Sequence, residues 1–487
     1  AVFPQVDDLV HIQALDLLGN GTACLVWSSP LPGDAGRQMR YVRLMAEKPH
    51  LLVKTVNNLG AETRVHYAPS IKFYLQDKRD GKPWITRLPF PVHVVERVET
   101  YDHISRNRFV TRYAYHHGYF DGEEREFRGF GMVEQWDTEA FEDYVVGVQR
   151  IEGAQELAPE LYQPPVTTRT WYHTGALLDH PHVLHQYRHE YYRQEQFLPE
   201  PVLPPDLSAA ELRECVRALK GLPLRQEIYG FDGSPEEQHP YTVTENSFEI
   251  RRLQPRGNQR HGVFFAVGRE SISLNYERNP TDPRISHTLG LELDEYGNAR
   301  KSCSVVYGRK IADPSLPTEV TQDQQKRYIT YTETDYTPDI EQAPFPEAHR
   351  LRVPFESRVY EITGIAPEND LFELEDIKAK IDGATPIDYE VIADGVTAQK
   401  RLLSHSRTIF LDNTLNPLPL GHWDSLGLTY QSYDLAFTPA ITAAHYAGKV
   451  SDAEFAAAGY VHFNDDANWW IPSGTAIYPT DARSHFY

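Results

Sequence analysis

The chain has 487 residues, and its 48 Lys and Arg against 69 Asp and Glu leave a formal net charge of −21 at pH 7. At roughly 100 to 200 residues per domain this is two to four packing units or one large repetitive β assembly, and the charge repels polyphosphate, which argues against a nucleic-acid partner. No stretch approaches the roughly 18 apolar residues of a bilayer-spanning helix, so a transmembrane protein is excluded. The 29 Tyr and 21 Phe, beside 30 Gly and 35 Pro, favour many short strands joined by turns over packed helices. Cys24, Cys215 and Cys303 are far apart and form neither a disulfide framework nor a zinc motif. The first residues carry no initiator Met, basic region or apolar core of a signal peptide, so the expectation is a processed chain or a piece of a longer one.

In chain order, Asp16-Leu-Leu-Gly-Asn20-Gly21 precedes the apolar run around Trp27 and reads as a tight turn plus a buried strand. It resembles one blade repeat of an FG-GAP type β-propeller, although a single blade cannot bury its own faces. From Leu51, a first strand, the turn Asn57-Asn58-Leu59-Gly60 and a second strand predict a hairpin, with Glu62, Arg64 and His66 alternating against Thr63, Val65 and Tyr67. The same grammar predicts strands over 92–99, over 109–115 ending in a turn at His117-Gly118, over 130–136, 289–293 and 301–307. Cys303, Val305 and Tyr307 share one face of the last. Strand faces bearing Tyr67, Tyr113, Tyr115, Tyr276 and Tyr307 should be packed or should line an inner wall. Helices are few: Ser208 and Glu211 form a capping box ahead of Leu212, Cys215, Val216 and Leu219, and Ser451 with Glu454 form another. A third helix is expected over 181–195, and the Pro-rich stretches 159–165 and 199–205 bracket an insertion.

Candidate chemistry is sparse. His182, His185 and His189, at i, i+3 and i+7, could share a helix face as metal ligands do, but the pattern lacks the Glu of a zinc-protease helix, and a solvated polar face is the expectation. His116-His117 reads as structural. The acidic run from Asp121 to Glu126 is interleaved with Arg125 and Arg128 and reads as a solvated hairpin tip with local ion pairs, since adjacent carboxylates cannot face each other across a cleft. Asp16 and Asn20 lack the alternating ligands of a calcium loop. No nucleophile elbow, phosphate loop or dinucleotide fingerprint is present, so no catalytic, cofactor-binding or metal-binding residue is expected.

Several ordered segments together resemble the B component of bacterial Tc insecticidal toxin complexes, the SpvB/TcdB-type proteins with RHS-like shells. They include Asp16 to Pro32, 51–69, 88–100, 113–134, Thr170-Trp-Tyr-His-Thr-Gly175, 218–227, 240–244, Asn279-Pro-Thr-Asp-Pro-Arg-Ile-Ser-His287 and 294–307, with a weaker continuation at 401–410 and 426–430. The resemblance implies a mainly β fold of antiparallel hairpins winding into an RHS-like spiral shell with a few short helices. It divides the chain into 1–30, the end of a propeller-like blade; 31–170 and 223–365, RHS-like β regions; 171–222, a mixed helical insertion; and 366–487, a further shell segment. It implies a secreted, non-enzymatic protein without cofactors that encloses an effector together with a C component, for release through the A-component pore, with no direct membrane insertion. A secreted carbohydrate-active enzyme and a repeat-built adhesin share the composition and remain as alternatives.

Overall fold

Asp16, Asp294 and Asp412 each open a turn that closes four residues later on an Asn. In all three the aspartate Oδ1 accepts the backbone N–H of that Asn, at 3.0, 2.9 and 2.8 Å. A short carboxylate that satisfies turn amides stands in for the missing ladder bonds at a strand end. In the computed structural model, which describes residues 6–46, 48–105, 107–137, 164–177, 184–341, 348–463, 466–479, 481–485 and 487, turns of this kind set the strands running. Strand accounts for 41% and helix for 15%, so the chain is mainly β, as expected.

The Asp16 turn joins β1 (His11–Leu15) to β2 (Cys24–Ser28), and β3 (Met39–Arg43) completes a three-stranded antiparallel sheet in the order β1-β2-β3. Cys24, Val26 and Trp27 are buried on its central strand. The chain divides into two compact units, the first, which includes this sheet, running up to Val267 with 273–283, and the second comprising 268–272 and 284–487.

In the first unit β4 (Lys54–Val56), β5 (Ala61–Pro69), β6 (His93–Asp102), β7 (Asn107–Asp121), β8 (Glu126–Trp136), β9 (Val166–Tyr172), β10 (Pro223–Gly230) and β11 (Thr242–Gln254) pair antiparallel in sequence order. Helix α1 (Ile71–Arg79) lies between β5 and β6 and packs Phe73 against Ala68 and Val94. β9 and β10 are neighbours, so the residues between them leave the sheet and return to it. That excursion contains α2 (Ala209–Arg217), whose Ser208 and Glu211 form the expected capping box and whose Cys215 packs with Leu219, Phe248 and Ile250. Of the helix expected over 181–195, 181–183 lie outside the described residues and the rest is two 3-10 turns, Leu184–Glu190 and Tyr192–Gln194, separated by extended Tyr191, with Arg193 at φ 55° inside the second. β12 (Val263–Asn275) carries residues of both units.

In the second unit β13 (Arg284–Leu293), β14 (Ala299–Val306), β15 (Tyr328–Tyr336), β18 (Pro354–Thr363), β20 (Gln399–Phe410), β21 (Thr429–Phe437) and β22 (Trp469–Pro472) are antiparallel neighbours. The short β16 (Ile340–Glu341) and β17 (His349–Arg350) form a separate pair, and β19 (Thr385–Ile387) runs parallel to β20. Helix α3 (Leu374–Asp382) buries Leu374, Ile377 and Ile381 against Leu289, Cys303, Val305, Ile329 and Ile362. A last short helix, α4 (Asp452–Ala457), carries the second capping box at Ser451. Tyr276 and Tyr307 are buried, and Tyr67, Tyr113 and Tyr115 are half-buried.

One sequence expectation is corrected by β7. The strand does not turn at His117-Gly118 but runs on to Asp121, and the signal marks a bulge: His117 has φ 56° and the register with β8 shifts between Gly118 and Phe120. Glycine is needed at 118 for close approach, because a Cβ there would lie 2.7 Å from the Trp84 ring and 2.9 Å from Leu88. Gly118→Ala should therefore lower stability by about 1–3 kcal/mol, the cost of overpacking, outweighing the roughly 0.4–1 kcal/mol that losing a glycine returns through the unfolded chain. A urea midpoint that does not fall would contradict this account of the bulge.

Candidate functional site

Antiparallel register turns alternating charges on single strands into rows across the sheet. In the first unit one row runs Ala114, Glu134, Arg169, Glu227, Val243 across β7 to β11, and the next runs His116, Met132, Trp171, Arg225, Glu245. Arg225 is fully buried and donates to Glu227 at 2.6 Å, to Glu245, and to the Glu195 carbonyl at 2.9 Å, while the Tyr191 ring lies 4.5 Å from its guanidinium. The two carboxylates also take backbone N–H groups, Glu227 from Tyr192 at 2.9 Å and Glu245 from Phe197 and Leu198 at 2.8 and 3.0 Å. A buried ion cluster thus clamps the 191–198 segment onto the strands.

Beside it lies a cavity of about 1140 Å³ between α1 and β6 to β9. On its wall His116 Nδ1 meets Asp77 at 2.7 Å and its Nε2 lies 3.6 Å from Glu134, which also accepts from Arg169 at 2.8 Å. Burial opposes a charge on His116, but the flanking Asp77 and Glu134 outweigh it and push its pKa up to about 9. Its neighbour His117 receives the Ile85 N–H on Nδ1, at 3.1 Å, so the ring proton sits on Nε2 and is donated to Glu190 at 2.7 Å. The second Glu190 oxygen accepts the Trp171 indole N–H at 2.8 Å. Burial works against charge on Glu134 and Glu190, yet their histidine partners hold both below the usual carboxylate range. Glycoside hydrolysis needs one carboxyl kept protonated as an acid, and here Asp77, Glu134 and Glu190 are each already paired with a histidine.

The second unit repeats the arrangement. On the face that carries Cys303, Val305 and α3, apolar rows give way along the strands to the row Lys301, Glu333, Arg358, His405 and then to Asp335, Glu356, Arg407. Arg358 reaches Glu333, Asp335 and Glu356 at 3.3, 2.5 and 3.1 Å, and Arg407 and His405 hold Glu356 at 2.8 and 2.6 Å. Burial opposes ionisation of Glu356, but these partners keep its pKa at about 2.

The residues singled out in the sequence fall as follows. His182 and the His185 side chain lie outside the described residues, and His189 is exposed at the cavity rim. His116 and His117, read as lying in a turn, sit in β7 on the cavity wall, each paired with a carboxylate. Asp121 is buried rather than solvated: it binds Arg128 at 2.9 Å and Arg213 of α2 at 3.0 Å, while Glu126 holds Arg217 and Lys220 at 2.8 and 3.0 Å. The Asp16 oxygens are taken by the amides of Asn20 and Gly21, and the Asn20 side-chain oxygen by Thr22. Among the described residues no three His, Cys, Asp or Glu side chains converge as a metal centre requires. Burial pushes the Cys215 and Cys303 thiols up to about 12, which makes them unreactive.

Comparison with known proteins defines the class. The insecticide toxin TcdB middle/N-terminal region model matches residues 4–150 and the middle/C-terminal region model residues 214–343, together more than half of the chain. No curated protein sequence matches. Among solved structures, the Photorhabdus luminescens Tc holotoxin pore carrying a TccC3 mutation matches 99% of this chain at 29% identity and a TM-score of 0.75. TcdB2-TccC3 without its hypervariable C-terminal region matches 99% at 28% identity and a TM-score of 0.75, and TcdB2-TccC3-Cdc42 matches 99% at 27% and 0.74. This chain spans 22 to 23% of the length of those chains. The chain belongs to the TcdB-type insecticidal toxins, the B components of Tc toxin complexes.

Two outcomes follow from the ion clusters. Arg225→Ala leaves Glu227 and Glu245 buried without their cation and should cost about 3–5 kcal/mol, and adding Glu245→Gln should recover part of it. Additive losses in a denaturation cycle would disprove the coupling. The folded pKa of His116 is raised above the ordinary value of about 6.5, so its contribution, up to about 3 kcal/mol, is complete below pH 6.5 and lost as pH rises through 9. His116→Gln should flatten the fall in stability over that window, measured by denaturation from pH 6 to 10.

Proposed function

We propose that this chain is a non-enzymatic stretch of the wall of a secreted Tc-type toxin shell. With a C component it encloses the cytotoxic effector of that component before translocation through the A-component pore. The observation that carries this reading is the match over 99% of the chain, at 29% identity, to a Tc holotoxin. The sheet architecture supports it, since charge-paired antiparallel strands make an extended wall without a pocket built for turnover. Within this reading 1–30 ends a propeller blade and the sheet formed by β1 to β3 lies at that boundary. Residues 31–170 and 223–365 are RHS-like wall, 171–222 the insertion and 366–487 a further wall segment. The carbohydrate-active alternative is disfavoured by the full engagement of the cavity carboxylates described above.

The test is co-expression of this chain, in the full protein that contains it, with a matching C component. The joint product should resist protease under conditions that cut the B protein alone, because the partner covers strand edges that are otherwise open to pairing and cleavage. Equal digestion with and without the C component would reject a shared shell.

A further inference from the structure

A second, smaller cavity of about 220 Å³ lies among three segments distant in sequence: the tip between β7 and β8, the exposed side of α2, and the loop between β11 and β12. Its lining is dominated by guanidinium groups, from Arg128, Arg213, Arg217, Arg256 and Arg260. The first three are answered by Asp121, Glu123 and Glu126. Glu214 is taken by His261 at 2.8 Å and by the Gly262 N–H at 2.8 Å, and Glu211 by the Ser208 and Arg256 backbone amides. Among the described residues no carboxylate is bonded to the guanidinium of Arg256 or Arg260. In a chain with a net charge of −21, a cavity lined by five arginines against Glu123, Glu124 and Glu214 is locally richer in cations than the chain as a whole.

We propose that this cavity binds a phosphate-type oxyanion, held by Arg256 and Arg260 with Arg213 and Arg217 behind them. Guanidinium groups lining so small a space repel one another, and a tetrahedral dianion accepts several of their N–H groups at once and removes that repulsion. The volume admits inorganic phosphate or the phosphoryl end of a larger molecule. Glu124 lines the same cavity and, among the described residues, has no bonded cation, so it opposes the anion and sets a moderate affinity.

The probe is inorganic phosphate, titrated calorimetrically into the B protein against chloride of equal ionic strength. One saturable site is expected. The double variant R256A/R260A should weaken it at least tenfold with an unchanged circular dichroism spectrum, consistent with the loss of charge-assisted hydrogen bonds. E124Q should tighten it several-fold, an effect in the opposite direction that damage to the fold would not produce. Phosphate heat no different from chloride, or full binding by R256A/R260A, would overturn the proposal. A methyl phosphate arm distinguishes sources: binding as tight as inorganic phosphate admits a phosphorylated molecule, and much weaker binding restricts the site to the free ion, both within the proposal.

Discussion

The structure depends on charges placed two residues apart on strands whose register brings each beside an opposite charge. Arg225 is the strongest instance: fully buried, it answers Glu227 on its own strand and Glu245 on the next, and these carboxylates in turn hold backbone amides of an insertion. A one-residue slip of β10 would move Arg225 and Glu227 to the opposite face and strand Glu245 without its cation. An unpaired buried charge costs several kcal/mol, so the register is fixed more sharply than by apolar alternation alone. The same logic holds in the second unit, where Arg358 touches carboxylates from β15 and from its own strand.

These clusters are not where most of the stability arises, since desolvation offsets much of the attraction within a buried pair. The apolar cluster under α3, with Leu289, Cys303, Val305, Ile329, Ile362, Ile377 and Ile381, supplies the area removed from water. What the ionic rows contribute is specificity along the rest of the strand. On β15 one face passes from Ile329 and Tyr331 to Glu333 and Asp335, so a single strand carries both core and charged row. That division lets a long strand extend beyond the reach of its covering helix without exposing an apolar surface.

Much of this fold is legible in the sequence, and the exceptions share a cause. The hairpin at 51–67, the strand carrying Cys303 and Val305, and both capping boxes are local features, and the structure places them as the sequence predicts. His117-Gly118 looks like a turn because a bulge and a turn both need an unusual backbone, and only the register with β8 tells them apart. The Asp121 run looks solvated because the arginine that buries it, Arg213, comes from a helix 92 residues later. The readable signal that remained unused is the recurrence of opposite charges at i and i+2, as in Glu62 and Arg64, Arg97 and Glu99, Arg225 and Glu227, and Glu356 and Arg358. On a solvated strand such dyads are ornament, but repeated on successive strands they predict a buried row.

Under the proposed shell role, strands paired in this way have a consequence for what the wall would enclose. Within the charged rows the carboxylates are already committed to neighbouring cations, so a basic segment would find few unanswered carboxylates there. The excess negative charge of the chain acts instead as a diffuse field, screened within about 10 Å at moderate salt. Such a field attracts a basic cargo without anchoring it, and an unanchored cargo can leave without breaking strong contacts. In the proposed shell, retention would then rest on enclosure and release on opening of the wall, with the ionisable groups of the rows held by one another.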